Sequence, residues 1–179
     1  ARLGPLSRWP ADEARRRLDA AVVPIDRTER VLLAAAGWRV AAEDIVSPID
    51  VPPFARAAMD GYAVIAADTA GASEHAPITL RIVERLYTGR APSQTIAPGT
   101  CAEIATGAPL PAGADAVVMV EQTATATDGV VKINAAATAG QNIGRRGADI
   151  LIGATVLRTG ELLNPGRIGA VAAIGRADV

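Results

Sequence analysis

The 179-residue chain is half hydrophobic, holds only five aromatic residues and carries a formal net charge of −1. That near-neutral balance argues against nucleic acid or an anionic membrane surface as a partner. One cysteine, Cys101, excludes an intramolecular disulfide framework and a Cys-rich metal site and fits a reducing, cytoplasmic setting, and no apolar run reaches the roughly eighteen residues of a membrane helix.

The first predicted element is a helix over 11–22, ADEARRRLDAAV. Ala14, Leu18 and Ala21 or Val22 recur at helical spacing, and Arg15, Arg16, Arg17 and Asp19 form a solvated opposite side. Pro10 suits the first helical position, and Pro24 marks the far boundary. Residues 29–42 start extended and pass through a short Leu/Ala-rich helix that Gly37 and Trp38 end or bend. Val40 to Ile45 is a candidate strand. Pro48, Pro52 and Pro53 then break regular structure.

From Tyr62 onward the pattern predicts strands. Ile78 to Leu86 alternates in part, Cys101 to Ile104 is a short strand, and Ala116 to Val120 is a continuous apolar run of buried-strand type. Turns are expected at Pro98-Gly99 and Pro109 to Gly113. Val130 to Ile133 follows Asp128-Gly129, a dipeptide that favours a hairpin. Ala135 to Ala139 reads as a loop. Asn164 to Ile174 is a second helix candidate, with Pro165 near its start and Gly175 beyond its end.

Three segments concentrate groups able to do chemistry. In PPFARAAMDGYAV, Pro52 to Val64, Asp60 sits on a tight turn, with Met59, Tyr62 and Val64 as apolar anchors. A carboxylate held this way can coordinate a hard cation such as Mg²⁺. Read from these residues alone, an Asx-type turn explains Asp60 better. In ATGAPLPAGADAVV, Ala105 to Val118, Thr106-Gly107 offers a hydroxyl and close backbone approach; an ordinary turn into a core strand is the competing account. In GQNIGRRGADI, Gly140 to Ile150, Arg145 and Arg146 suit an oxyanion, and Asp149 is a second candidate carboxylate. Here the alternative is a solvated polar turn. Glu43 and Asp44 read as surface groups.

Other chemistries are poorly served. The one histidine, His75, lies in a polar stretch, so no multi-histidine metal site forms and a Ser-His-Asp triad has no good setting. There is neither a P-loop nor a GxGxxG fingerprint.

PPFARAAMDGYAV resembles the PPFxxSAMDGYAV signature of the molybdopterin molybdenumtransferase (MoeA) family, which includes bacterial enzymes and the related domain of gephyrin. The likeness continues through IATGAPLPAGADAVVMVEQT, residues 104–123, and GQNIGRRGADI, and it spans about residues 11–179. It implies an α+β, β-rich fold with bifurcated or coiled sheets. Residues 11–49 and 146–179 would form an α/β lobe, and 50–145 an inserted, mainly β lobe. The implied activity is insertion of molybdate into adenylated molybdopterin, with Mg²⁺ and release of AMP, in molybdenum cofactor biosynthesis. The implied assembly is a homodimer whose cleft needs a molybdopterin-binding domain, supplied in cis or in trans. The STGDEL-like segment of that domain is not in the sequence, so the chain by itself is not expected to complete the reaction.

Carried over residue by residue, Asp60, Thr106 and Asp149 resemble the family's cleft residues, with Asp60 and Asp149 as metal ligands. Arg145, Arg146 and Gly107 resemble its cofactor-binding positions. Ala148 stands where the family usually has Glu, Gly144 where Arg is common, and Ala58 where Ser is common. Glu103 occupies a position that can be basic, and Gly37-Trp38 alters the usual Leu-Gly pair. The changes at 103 and 144 would weaken an anion site that both faced. They motivate the alternative of a non-catalytic dimerisation, scaffold or anion-binding module.

Overall fold

The computed structural model describes residues 9–23, 25–125 and 129–179. Its first element, α1 (Ala11–Ala21), begins after Pro10, which caps the helix by accepting the Ala14 N–H at 2.9 Å. Glu13 pairs with Arg16 at 2.8 Å and with Arg17 at 2.7 Å, one helical turn away, so the arginine side is solvated as expected. The apolar side is not covered by the described residues: no residue of α1 is buried, and Leu18 is 65% exposed. The boundary expected at Pro24 lies outside the described residues.

The strands are β1 (Ile45–Val46), β2 (Arg56–Ala57), β3 (Gly61–Val64), β4 (Ile78–Leu86), β5 (Thr100–Ile104), β6 (Ala116–Met119), β7 (Thr123–Thr125), β8 (Val130–Ile133), β9 (Ile143–Gly144) and β10 (Thr155–Leu157). Helix α2 (Pro165–Ala173) follows; its Asn164 cap accepts the Arg167 N–H at 3.0 Å. The architecture is α+β and strand-rich.

Six strands make one sheet in the order β6-β3-β5-β4-β8-β7, with β4 and β5 parallel and the other neighbours antiparallel. Alternation along each strand buries both faces. Tyr62, Val64, Leu80, Cys101, Val118 and Val131 form one apolar cluster. Ala63, Ala102 and Val117, their sequence neighbours, form another with Leu86, Ile96 and Ile104.

One local expectation holds and another shifts. Val130 to Ile133 pairs with β7 as the expected hairpin, and the 116–119 run closes the far edge of the sheet as β6. Asp128 lies outside the described residues. Val40 makes only an isolated bridge to Leu162, so the expected 40–45 strand shrinks to β1 at 45–46. The bend at 37–38 is present, with Trp38 at a φ of 64° and its N–H donating to the Leu163 carbonyl at 2.9 Å.

A third apolar cluster lies outside this sheet and joins the two ends of the chain. It contains Ala36, Ala41, Ile45, Leu157, Leu163, Val171 and Ile174. β1 pairs with β10, and Val31 exchanges backbone hydrogen bonds of 2.8 and 2.9 Å with Val179.

Cys101 sits within the sheet core, fully buried, and burial pushes its thiol up to about 12, with Glu103 adding to the shift. The reactive species is the thiolate. A disulfide reagent at pH 8 should therefore leave the native chain unlabelled and label it stoichiometrically after denaturation. Rapid native labelling would contradict this packing.

Candidate functional site

Asp60 precedes β3 and Thr106 follows β5, and the pairing of those two strands brings them together across 46 residues of sequence. Asp60 Oδ1 accepts the Thr106 N–H at 2.7 Å and the Thr106 hydroxyl at 2.8 Å. The amide is the larger cause, and the hydroxyl the next, of a carboxyl held below its ordinary range. Asp60 is exposed and stays anionic at neutral pH. Its turn is thus held by a distant partner and not by the local Asx bond that the residues alone favoured.

Glycine is required twice here. A Cβ on Gly61 would lie 1.9 Å from the Val118 carbonyl oxygen, so β3 and β6 meet only because none is present. Gly107 has a φ of 82°, and its N–H donates to Ala57 O at 2.8 Å. Tyr62 and Val64 are buried as expected, but Met59 is 41% exposed and is not a buried anchor.

The same clamp occurs elsewhere. Asp44 Oδ1 accepts the Thr159 N–H at 2.7 Å and its hydroxyl at 3.0 Å, and Gly160 has a φ of 81°. An Asp–Thr–Gly clamp is therefore in itself a way to hold a turn. Asp60 is set apart by its surroundings: it lines a depression of about 250 Å³ with Tyr62, Tyr87, Glu103, Ala105 and Val120.

The second acidic candidate lines a different depression. Asp149 is exposed, reaches the Arg56 guanidinium at 4.0 Å and lines that depression, of about 400 Å³, with Gly147, Ile150, Val156 and Ala170. The two depressions share no residue. Arg146 is already engaged: its Nε donates to Asp50 Oδ2 at 2.6 Å, and Asp50 Oδ1 accepts the Ile152 N–H at 2.8 Å. Asp50, nearly buried, is kept below its ordinary range by the Ile152 amide first and then by Arg146. Arg145 is exposed.

Two of the charge changes look different in three dimensions. Arg56 pairs across the strands with Gly144, and its stem covers the space where a Gly144 side chain would stand. Its guanidinium thereby supplies a cation beside Asp149. Glu103 pairs with Arg85 at 2.9 Å, so its charge is compensated.

Among the described residues, no three His, Cys, Asp or Glu side chains gather to hold a metal ion. A lone fixed carboxylate still suits Mg²⁺, which keeps most of its waters and uses one or two carboxylates with ligand phosphates. Asp50, Arg56, Tyr87 and Val120 escaped the sequence reading. The parity of the strands alone could have flagged Tyr87, since it follows Arg85 by two residues at the end of β4.

The model of the MoeA N-terminal region (domain I and II) matches residues 9–175. Molybdopterin molybdenumtransferase 2 of Mycobacterium tuberculosis is 41% identical over 163 residues, 91% of this chain and 40% of that protein. A molybdopterin molybdenumtransferase of Haemophilus influenzae is 35% identical over 168 residues, 94% of this chain and 40% of that protein. The crystal structure of the molybdopterin biosynthesis moeA protein from Pyrococcus horikoshii OT3 shares the fold with a TM-score of 0.88 and 38% identity, covering 95% of this chain and 45% of that one. The chain thus spans about two fifths of the length of these curated relatives.

Proposed function

This chain belongs to the MoeA N-terminal region family, and from that premise we propose that it supplies one wall of a site where molybdate is inserted into adenylated molybdopterin. The observation that carries the reading is the Asp60 carboxylate, fixed by Thr106 at the edge of a depression. Both Thr106 bonds fall on Oδ1, which leaves Oδ2 for a ligand. Asp60 would hold a hydrated Mg²⁺, which would supply charge neutralisation for the ligand's phosphates.

The Thr106 hydroxyl and the Gly107 turn keep that carboxylate aimed. Asp149, with Arg56 beside it, is a second contributor from a neighbouring loop, and Arg145 is the exposed cation for an anionic group. Arg146 acts at one remove, by tying the 145–150 loop to Asp50. A molybdopterin-binding domain, in cis or in trans, supplies the opposite wall, in a cytoplasmic homodimer. The division into lobes 11–49 plus 146–179 and 50–145 belongs to the same proposal, supported by the separation of the end-joining apolar cluster from the two sheet clusters.

The test is reconstitution. The chain, joined to or mixed with a molybdopterin-binding domain, is given adenylated molybdopterin, molybdate and Mg²⁺, and AMP release and retained molybdenum are measured. Turnover that needs both parts is the expected result. Silence with an authentic partner domain would leave the non-catalytic scaffold as the better account.

A further inference from the structure

The registers of the sheet place a row of side chains across the mouth of the Asp60 depression. Tyr62 pairs with Val118 on one side and Glu103 on the other, and Glu103 pairs with Arg85. Just past the strand ends, two positions from each of these along the chain, stand Val120, which opens a 3-10 turn, Asp60, Ala105 and Tyr87. The Val120 N–H donates to Asp60 O at 3.0 Å and the Ala105 N–H to Leu86 O at 3.0 Å, which carries the pairing into this second row. All four residues line the same depression.

The two ends of the row are apolar and unusually open. Tyr87 is 54% exposed and Val120 is 47% exposed, although Tyr62 and Val118 in the row beneath are buried. Between them Ala105 leaves the floor low, and Asp60 is its charged point. Three strand spacings separate the outer two strands, or roughly 14 Å. Tyr87 is also held in place: its carbonyl accepts the Arg90 N–H at 3.3 Å across the Thr88-Gly89 turn.

We propose that Tyr87 is a ligand-contact residue whose ring stacks on a flat nitrogen heterocycle lying over Ala105, with the phosphates of the same ligand towards Asp60. This rests on the reading of the Asp60 depression as the ligand site and deepens it by naming the part of the ligand that enters. At about 250 Å³ the depression is below the usual range for whole drug-sized ligands, so it takes a ring system and leaves the phosphates at its mouth. Adenylated molybdopterin carries two such rings, a pterin and a purine. Stacking accepts either.

The experiment separates them. Binding of free pterin and of AMP to the chain is measured by equilibrium dialysis for the wild type, Tyr87→Phe and Tyr87→Ala. Thermal unfolding of each variant is followed to confirm an intact fold. The wild type is expected to bind one of the two probes, which identifies the ring. Tyr87→Phe should stay within about twofold, and Tyr87→Ala should weaken binding by roughly tenfold or more.

In the reconstituted enzyme, Tyr87→Ala should raise KM for adenylated molybdopterin by a similar factor and leave kcat nearly unchanged. Wild-type affinity and KM in Tyr87→Ala, or no binding of either probe to the wild type, would overturn the proposal. Unchanged turnover in Asp60→Asn would instead overturn the reading of the depression as the site.

Discussion

Replacing Asp60 by asparagine should lower AMP release by the reconstituted enzyme roughly a hundredfold or more, the scale on which a preorganised charged contact acts. Asparagine keeps an Oδ1 that can accept both Thr106 bonds, so the turn survives and only the charge is lost. The Mg²⁺ concentration for half-maximal rate should rise as well. Asp44→Asn is the internal control. It perturbs a clamp of nearly equal geometry on Thr159, so whatever the change costs a turn appears there too, without the loss of rate.

The pH dependence has a definite sign. The folded carboxyl of Asp60 is depressed, so its contribution to stability is fully present above the ordinary aspartate value near ~3.9 and is lost as pH falls through the lower folded value. An acid limb of the rate profile at pH 5 or 6 would therefore belong to another group. Equal rates and equal Mg²⁺ dependence in wild type and Asp60→Asn would dismiss Asp60 as a cation ligand.

Gly61→Ala should be among the most damaging methyl additions at the described glycines. Its Cβ would meet the Val118 carbonyl oxygen at 1.9 Å and the Val118 carbonyl carbon at 2.9 Å, both backbone atoms with no rotamer to escape into. Relief requires β3 and β6 to part, which opens a register of four residue pairs at the edge of the sheet and tilts Asp60 off Thr106. A loss of about 3 kcal/mol or more is expected in urea unfolding, at the upper end for overpacking. Gly169→Ala provides the contrast: in α2, with open space around it, the same methyl should be neutral or stabilise by about 0.5–1 kcal/mol. Similar midpoints for the two variants would refute the close approach.

Features set by local chemistry were legible in the sequence. Helix α2 announces itself through Asn164-Pro165 and Gly175, and β4, β5 and β6 through apolar runs between turn signals. What was not legible depends on partners chosen at a distance. A Gly at 129 favours a hairpin, but nothing local says that β8 takes the short polar Thr123–Thr125 and not the richer 116–119 run, which the sheet uses against β3.

The candidate residues show the same division. Asp60 and Thr106 were both singled out, yet their contact follows from strand register. Arg146 looked like an anion ligand because its partner, Asp50, lies 96 residues away. Tyr87 carries no local signal, because its meaning comes from the row it completes. For α1 the helix was readable from its spacing, whereas its failure to bury a residue was not.

Val51 and Ile150 form a single antiparallel rung, joined by hydrogen bonds of 2.7 and 3.0 Å. The chain thus leaves for the large sheet and returns from it at one place, which sets an order for folding. Joining residue 51 to residue 150 in an open coil carries the entropy of closing a long loop. Once the intervening strands have found one another, the same rung closes almost without loss. β1 with β10, and Val31 with Val179, bridge still wider gaps and inherit that saving. The pairings of residues 31 with 179 and 45 with 157 are therefore expected to form after the strands between them, whereas the Asp60 clamp lies wholly inside the excursion.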